Sequence, residues 1–101
     1  MKKLYLEPVY LELIIGILKK NVPLRNVLAF GSRVTGTHKP HSDLDICILG
    51  DIPLTLLEMA NLREDFSESA LPIRLDIVDW ATISKPFKKN IEKNKVMIQK
   101  V

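Results

Sequence analysis

Residues 31 to 46, GSRVTGTHKPHSDLDI, set a glycine-rich bend ahead of two aspartates one residue apart, Asp43 and Asp45, in an otherwise apolar run. Side chains along a strand alternate faces, so the two carboxylates share one face and lie within several ångströms of each other. Ionised carboxylates that close repel, which raises one pKa unless a cation lies between them. A divalent metal removes the conflict. All-oxygen donors favour magnesium, or manganese, over zinc, and magnesium completes its shell with water and substrate phosphates. The upstream bend suits the phosphate end of such a substrate. Gly31 admits close backbone approach, Ser32 offers a hydroxyl, and a helical turn starting there aims free N–H groups at an anion. Gly36 lets the chain swing back to the aspartates. No Gly-Lys-Ser/Thr follows, so this is not a P-loop, and the glycines are wrongly spaced for a dinucleotide fingerprint.

A third carboxylate would complete a metal cluster, and RLDIVD at 74 to 79 offers two. Asp76 and Asp79 are an odd number of positions apart and face opposite sides of a strand. Asp76, between Leu75 and Ile77, is the candidate ligand; Asp79 is assigned to capping the turn that begins at Trp80. Structural alternatives stand beside these readings. A Gly-Ser pair can be only a turn, and Asp43 after Ser42 can terminate a loop. Asp45, a charge inside an apolar strand, needs a partner, which Arg33 or Arg74 could supply as a salt bridge. His38 and His41 read as exposed loop residues, and without helical spacing or a partner cysteine they make a poor zinc site.

The elements that must position these groups follow from periodicity. Leu11, Ile14, Ile15 and Leu18 recur at helical spacing from Pro8 to Lys20, and Asn21 and Pro23 end that helix. Residues 25–30 form a short strand stopped by Gly31. Residues 43–49 form a central strand, with Leu44, Ile46 and Ile48 on one face and Cys47 and Leu49 following the aspartates on the other. Leu56, Met59, Leu62 and Phe66 mark a second long helix, residues 73–78 a third strand, and a basic helix from about Ser84 closes the chain. Lysines 85, 88, 89, 93, 95 and 100 are assigned to its solvated face.

Composition limits the function classes. The 101 residues, 47% hydrophobic and 27% charged, suit one α/β domain, residues 1–101, with helices packed on a small sheet. A formal charge of +3 is too small to demand a polyanion, which argues against direct nucleic-acid binding. Cys47 is the only cysteine, so disulfides and thiolate zinc sites are excluded and a buried thiol is expected. The opening MKKLYLEPVY has neither a long apolar stretch nor a small-residue cleavage site, and reads as cytoplasmic, with no membrane span.

Gly31-Ser32-x-x-x-Gly36, then Asp43-x-Asp45 and a later strand aspartate, resembles the signature of the polymerase-β-type nucleotidyltransferases. The short chain looks like the minimal nucleotidyltransferases, partners of HEPN-domain proteins in prokaryotic two-gene modules. The similarity runs from the first helix to the third strand and on into Val78-Asp79-Trp80. It implies a polymerase-β palm core with a small mixed sheet flanked by helices. It also implies magnesium held by Asp43, Asp45 and Asp76, and ATP or another triphosphate bound at Gly31 and Ser32 with Arg33 as a helper. The reaction implied is transfer of a nucleoside monophosphate to an acceptor hydroxyl with release of pyrophosphate. Antitoxin-type members adenylylate their partner toxin, which makes a HEPN protein the implied acceptor. The alternative is a module without chemistry that neutralises a HEPN RNase by covering it. Larger family enzymes add a domain that grips acceptor or base, and only about 25 residues follow Asp76, so a partner is expected to finish the site. Val96, Met97 and Ile98 are candidates for that contact, or for self-association, or for packing on the sheet.

Overall fold

A computed structural model describes residues 3–101; Met1 and Lys2, the first two residues of the stretch read above as neither leader nor span, lie outside the described residues. Pro8 opens α1 (Pro8–Asn21), where its missing N–H costs nothing, and Ile14 and Leu18, one turn apart, are fully buried. β1 (Val27–Phe30) is buried along its whole length. A single helical turn, α2 (Ser32–Thr35), follows Gly31 and ends at Gly36, whose φ of 85° is the left-handed conformation of a helix stop. β2 (Leu44–Ile48) leads to α3 (Leu56–Ser67), which starts with a capping box: Glu58 N donates to Thr55 Oγ1 at 3.0 Å and Thr55 N to Glu58 Oε1 at 2.9 Å. β3 (Leu75–Asp79), a 3-10 turn at Trp80–Thr82, α4 (Lys85–Lys93) and β4 (Lys95–Gln99) complete the chain.

The sheet has the order β3-β2-β1-β4, with β1 antiparallel to both neighbours and β2 parallel to β3. The parallel pair requires a crossover, and α3 supplies it. Leu44, Ile46 and Ile48 pack with Ile14, Leu18, Leu62 and Phe66, so α1 and α3 cover one face. Cys47, Leu28 and Phe30 pack with Ile91 of α4 on the other. The two faces of β2 divide as its sequence alternation predicts. Asn21 Nδ2 donates to Asp65 Oδ2 at 2.8 Å and Lys20 pairs with the same carboxylate at 3.2 Å, tying α1 to α3. This is a mixed sheet flanked by helices, the architecture the sequence implies.

The C-terminal region corrects the sequence reading. The basic helix ends at Lys93, and residues 95–99 form a fourth strand against β1. Lys95 and Lys100 therefore do not share a helical face with Lys85, Lys88, Lys89 and Lys93. Val96 and Ile98 pack against the larger core, and Met97 alone of that trio is exposed. Gln99 Nε2 donates to Val22 O and Arg25 O, both at 2.9 Å, closing the α1–β1 turn beneath the new edge. Among the described residues no helix is long and apolar enough to cross a membrane.

Candidate nucleotidyl-transfer site

The parallel pairing of β2 with β3 sets Asp45 directly beside Asp76, and side chains in register on neighbouring strands share a face. On the other side of β2, Asp45 is opposite Phe30, the last residue of β1, so Gly31 arrives immediately above its carboxylate. Gly31 has φ 79° and ψ −154°, a region reserved for glycine, and a Cβ at that position would collide with Asp45 Oδ2. The glycine turn and the aspartate strand are thus in contact. Gly31 O accepts from Val34 N and Thr35 N, which leaves the Ser32 and Arg33 amides at the open start of α2 without intrahelical partners. Among the described residues the Ser32 hydroxyl makes no hydrogen bond.

Burial first, then the charge of Asp76, then a hydrogen bond shared by the two carboxyl groups, and last the charge of Asp43, push Asp45 from 3.8 up to about 6. Neither arginine relieves it: among the described residues Arg33 and Arg74 form no salt bridge. The salt-bridge alternative for Asp45 is therefore absent.

The other candidates divide. Asp43 precedes the first paired residue of β2, and its carboxylate is exposed although its charge reaches Asp45. Among the described residues no three His, Cys, Asp or Glu side chains converge closely enough to enclose a metal ion. Asp45 and Asp76 meet; Asp43 stands off. Arg33, read from sequence as a phosphate helper, spends its guanidinium on main-chain carbonyls. It is buried and donates from Nε to Ser42 O at 3.1 Å, from Nη1 to Tyr5 O at 3.0 Å and from Nη2 to Pro40 O at 3.3 Å, pinning the 36–43 loop to the N-terminal segment. His41 is exposed as expected, but His38 is half-buried and stacks on Tyr5 with ring centroids 5.4 Å apart. Asp79 caps the 3-10 turn, accepting from Ala81 N at 3.3 Å, and also accepts from Leu54 N at 2.8 Å. Cys47 is buried, and burial followed by the charge of Asp79 pushes its thiol up to about 12, an inert state.

Sequence spacing does not point to a cleft of about 580 Å³ beside Asp76, walled by Arg63 and Phe66 of α3, by Leu71 and Arg74, and by β3 itself. Only the packing of α3 along β3 brings these residues together.

The donor set fits magnesium. Two in-register carboxylates with a third nearby, no sulfur or imidazole, and an electrostatic conflict at Asp45 suit a hard cation that takes one or two protein carboxylates and leaves its other positions to phosphates and water.

Residues 12–100 match the family model described as Polymerase beta, Nucleotidyltransferase. The chain belongs to the polymerase-β nucleotidyltransferase family. This nucleotidyltransferase is 48% identical over 89 residues to the probable protein adenylyltransferase MntA of Haemophilus influenzae, covering 88% of this chain and 78% of that protein. A Methanocaldococcus jannaschii relative is 32% identical over 83 residues, 81% of this chain and 84% of its own. Among solved structures, a toxin–antitoxin crystallised with AMP-PNP superposes with a TM-score of 0.75 at 26% identity, over 90% of this chain and 73% of that one. A complex of tri-AMPylated Shewanella oneidensis HEPN toxin with its MNT antitoxin shares the fold at TM-score 0.69 and 22% identity, over 92% and 71% of the two chains.

Proposed function

We propose that this nucleotidyltransferase transfers AMP from ATP to a hydroxyl on a HEPN-type partner protein, as the antitoxin-like half of a two-protein module in the cytoplasm, where ATP is supplied. The observation that carries the chemistry is the contact of Gly31 with Asp45, itself in register with Asp76. The adenylyl donor and protein acceptor are supported by the 48% identity to MntA and by the AMP-PNP bound in the toxin–antitoxin that shares this fold.

Gly31 and Ser32 line the β- and γ-phosphates, with the free main-chain amides of Ser32 and Arg33 and the Ser32 hydroxyl turned to them. Asp45 and Asp76, with Asp43 beside them, would hold magnesium, which when bound neutralises charge on the phosphates. The acceptor oxygen bonds to the α-phosphorus as the bond to the bridging oxygen breaks. Pyrophosphate leaves, and the hydroxyl proton goes to the exposed Asp76 carboxylate. The chain's main contribution is positioning.

Incubation with ATP, magnesium and the HEPN partner, followed by mass spectrometry of the partner, tests the reading. One or more added AMP units support it; stable association with no mass gain supports the module without chemistry. Asp45→Asn keeps the fold by circular dichroism and lowers AMP transfer at least about a hundredfold, the scale of losing a group that positions reacting charge. Undiminished transfer would remove Asp45 from the site.

A further inference from the structure

β3 is one of the two outer strands of the sheet, and the cleft lies along its free side. Leu44 N donates to Arg74 O at 2.9 Å, which turns the main-chain groups of Arg74 and Asp76 toward β2. Alternation then turns the N–H and C=O groups of Leu75 and Ile77 outward, where no chain segment among the described residues pairs with them. Such a row is a template for another strand.

Resting on the reading of a protein acceptor, we propose that an extended, acidic segment of that acceptor pairs with the outer edge of β3 and so delivers its hydroxyl to Asp76. Side chains of an added strand alternate between the two faces of the sheet. One set stands on the face of Asp76, where the hydroxyl is needed; the other enters the cleft over Phe66 and Leu71. Arg63 and Arg74 are exposed at that cleft, and among the described residues neither pairs with a carboxylate. Asp76 is the only acidic residue lining it. Arg74, two positions from Asp76, shares its face and offsets its charge, while Arg63 of α3 stands on the opposite face, so the segment's acidic residues are favoured on the α3 side. Charges at a strand edge deter indiscriminate pairing. Here they also select a partner.

The test uses the full chain with the HEPN protein of its module, read by amide exchange in NMR. In the free chain the Leu75 and Ile77 amides exchange freely; in the complex they slow by at least about tenfold, the minimum for a stable interstrand hydrogen bond. Charge reversal at Arg63, Arg63→Glu, raises the KM for the protein acceptor at least about tenfold and leaves ATP binding unchanged, because Arg63 lies on α3, which covers the sheet face opposite Asp45 and Asp76. A complex in which these two amides exchange as in the free chain overturns the inference, as does an unaltered KM or the lack of any complex. Protection without added AMP keeps the edge contact and overturns the transfer reading. Added AMP without protection does the reverse.

Discussion

Asp45 carries an electrostatic cost that its neighbours impose, because burial, Asp76 and Asp43 all disfavour its charge. The cost has a measurable sign in the metal-free protein. With a folded pKa of about 6 against 3.8 when unfolded, the native state holds a proton that the unfolded chain gives up. The contribution of Asp45 to stability is therefore greatest below the unfolded value and declines as pH rises from about 4 to about 6, then levels. Asp45→Asn removes that decline and raises metal-free stability at pH 7 by about 1–2 kcal/mol, after allowing for water around a half-buried group. Thermal melts of both proteins in chelator across this range check it, and a stability advantage of the variant that does not widen from about pH 4 to about pH 6 would contradict it. Added magnesium raises the wild-type melting temperature at neutral pH and leaves that of the variant nearly unchanged. At this scale Asp45 was legible as a charge inside an apolar strand, whereas Asp43, placed by alternation on the same face, precedes β2 and stands off while Asp76 comes alongside. The fate of Arg33 was not. Its three carbonyl partners, Tyr5, Pro40 and Ser42, are brought together only by the folded 36–43 loop.

The elements place the site through two junctions, the β1–α2 bend and the parallel pairing of β2 with β3. At the first, Gly31→Ala forces a side chain into a glycine-only backbone region and against the Asp45 carboxylate, costing about 1–3 kcal/mol from the backbone alone. Both melting temperature and AMP transfer fall in this variant. Gly16→Ala is the control: Gly16 lies within α1 and nothing stands within 4 Å of the added Cβ, so the exchange stabilises by about 0.5–1 kcal/mol and leaves transfer unaffected. Equal melting temperatures for the two variants would show that the bend is not strained against Asp45. Most elements were readable from apolar periodicity and from their caps. β4 was hidden because Val96-Met97-Ile98 is an apolar run too short to distinguish strand from helix, with no Gly or Pro before it and lysines on both sides suggesting a continuing basic helix. The free edge of β1 decides the matter.

At the scale of the molecule, the site lies at the surface and is covered on one flank only. α4 packs on the aspartate face through Ile91, while Asp43 and Asp76 remain exposed and the cleft beside β3 opens outward. Topology explains why this was partly legible. The alternation of helices and strands announces a sheet with a carboxylate face, but the depth of the site depends on how far α3 and α4 extend over it, which no local pattern states. Catalysis of group transfer by positioning requires acceptor and nucleotide to be held together, and orientation of this kind is worth several powers of ten in rate. On the reading proposed above, the triphosphate is held at Gly31 and Ser32, but an open site has little with which to hold a small acceptor. The isolated chain, given ATP and magnesium, should therefore transfer AMP to water or to small alcohols at a rate close to background. Adding the HEPN partner should raise the AMP transferred per enzyme by at least about a thousandfold, a gain of roughly 4 kcal/mol in transition-state stabilisation. Radiolabelled ATP and single-turnover sampling measure both arms. Robust turnover of a small-molecule acceptor by the chain alone would show that the exposed carboxylates need no second protein to position what they react with.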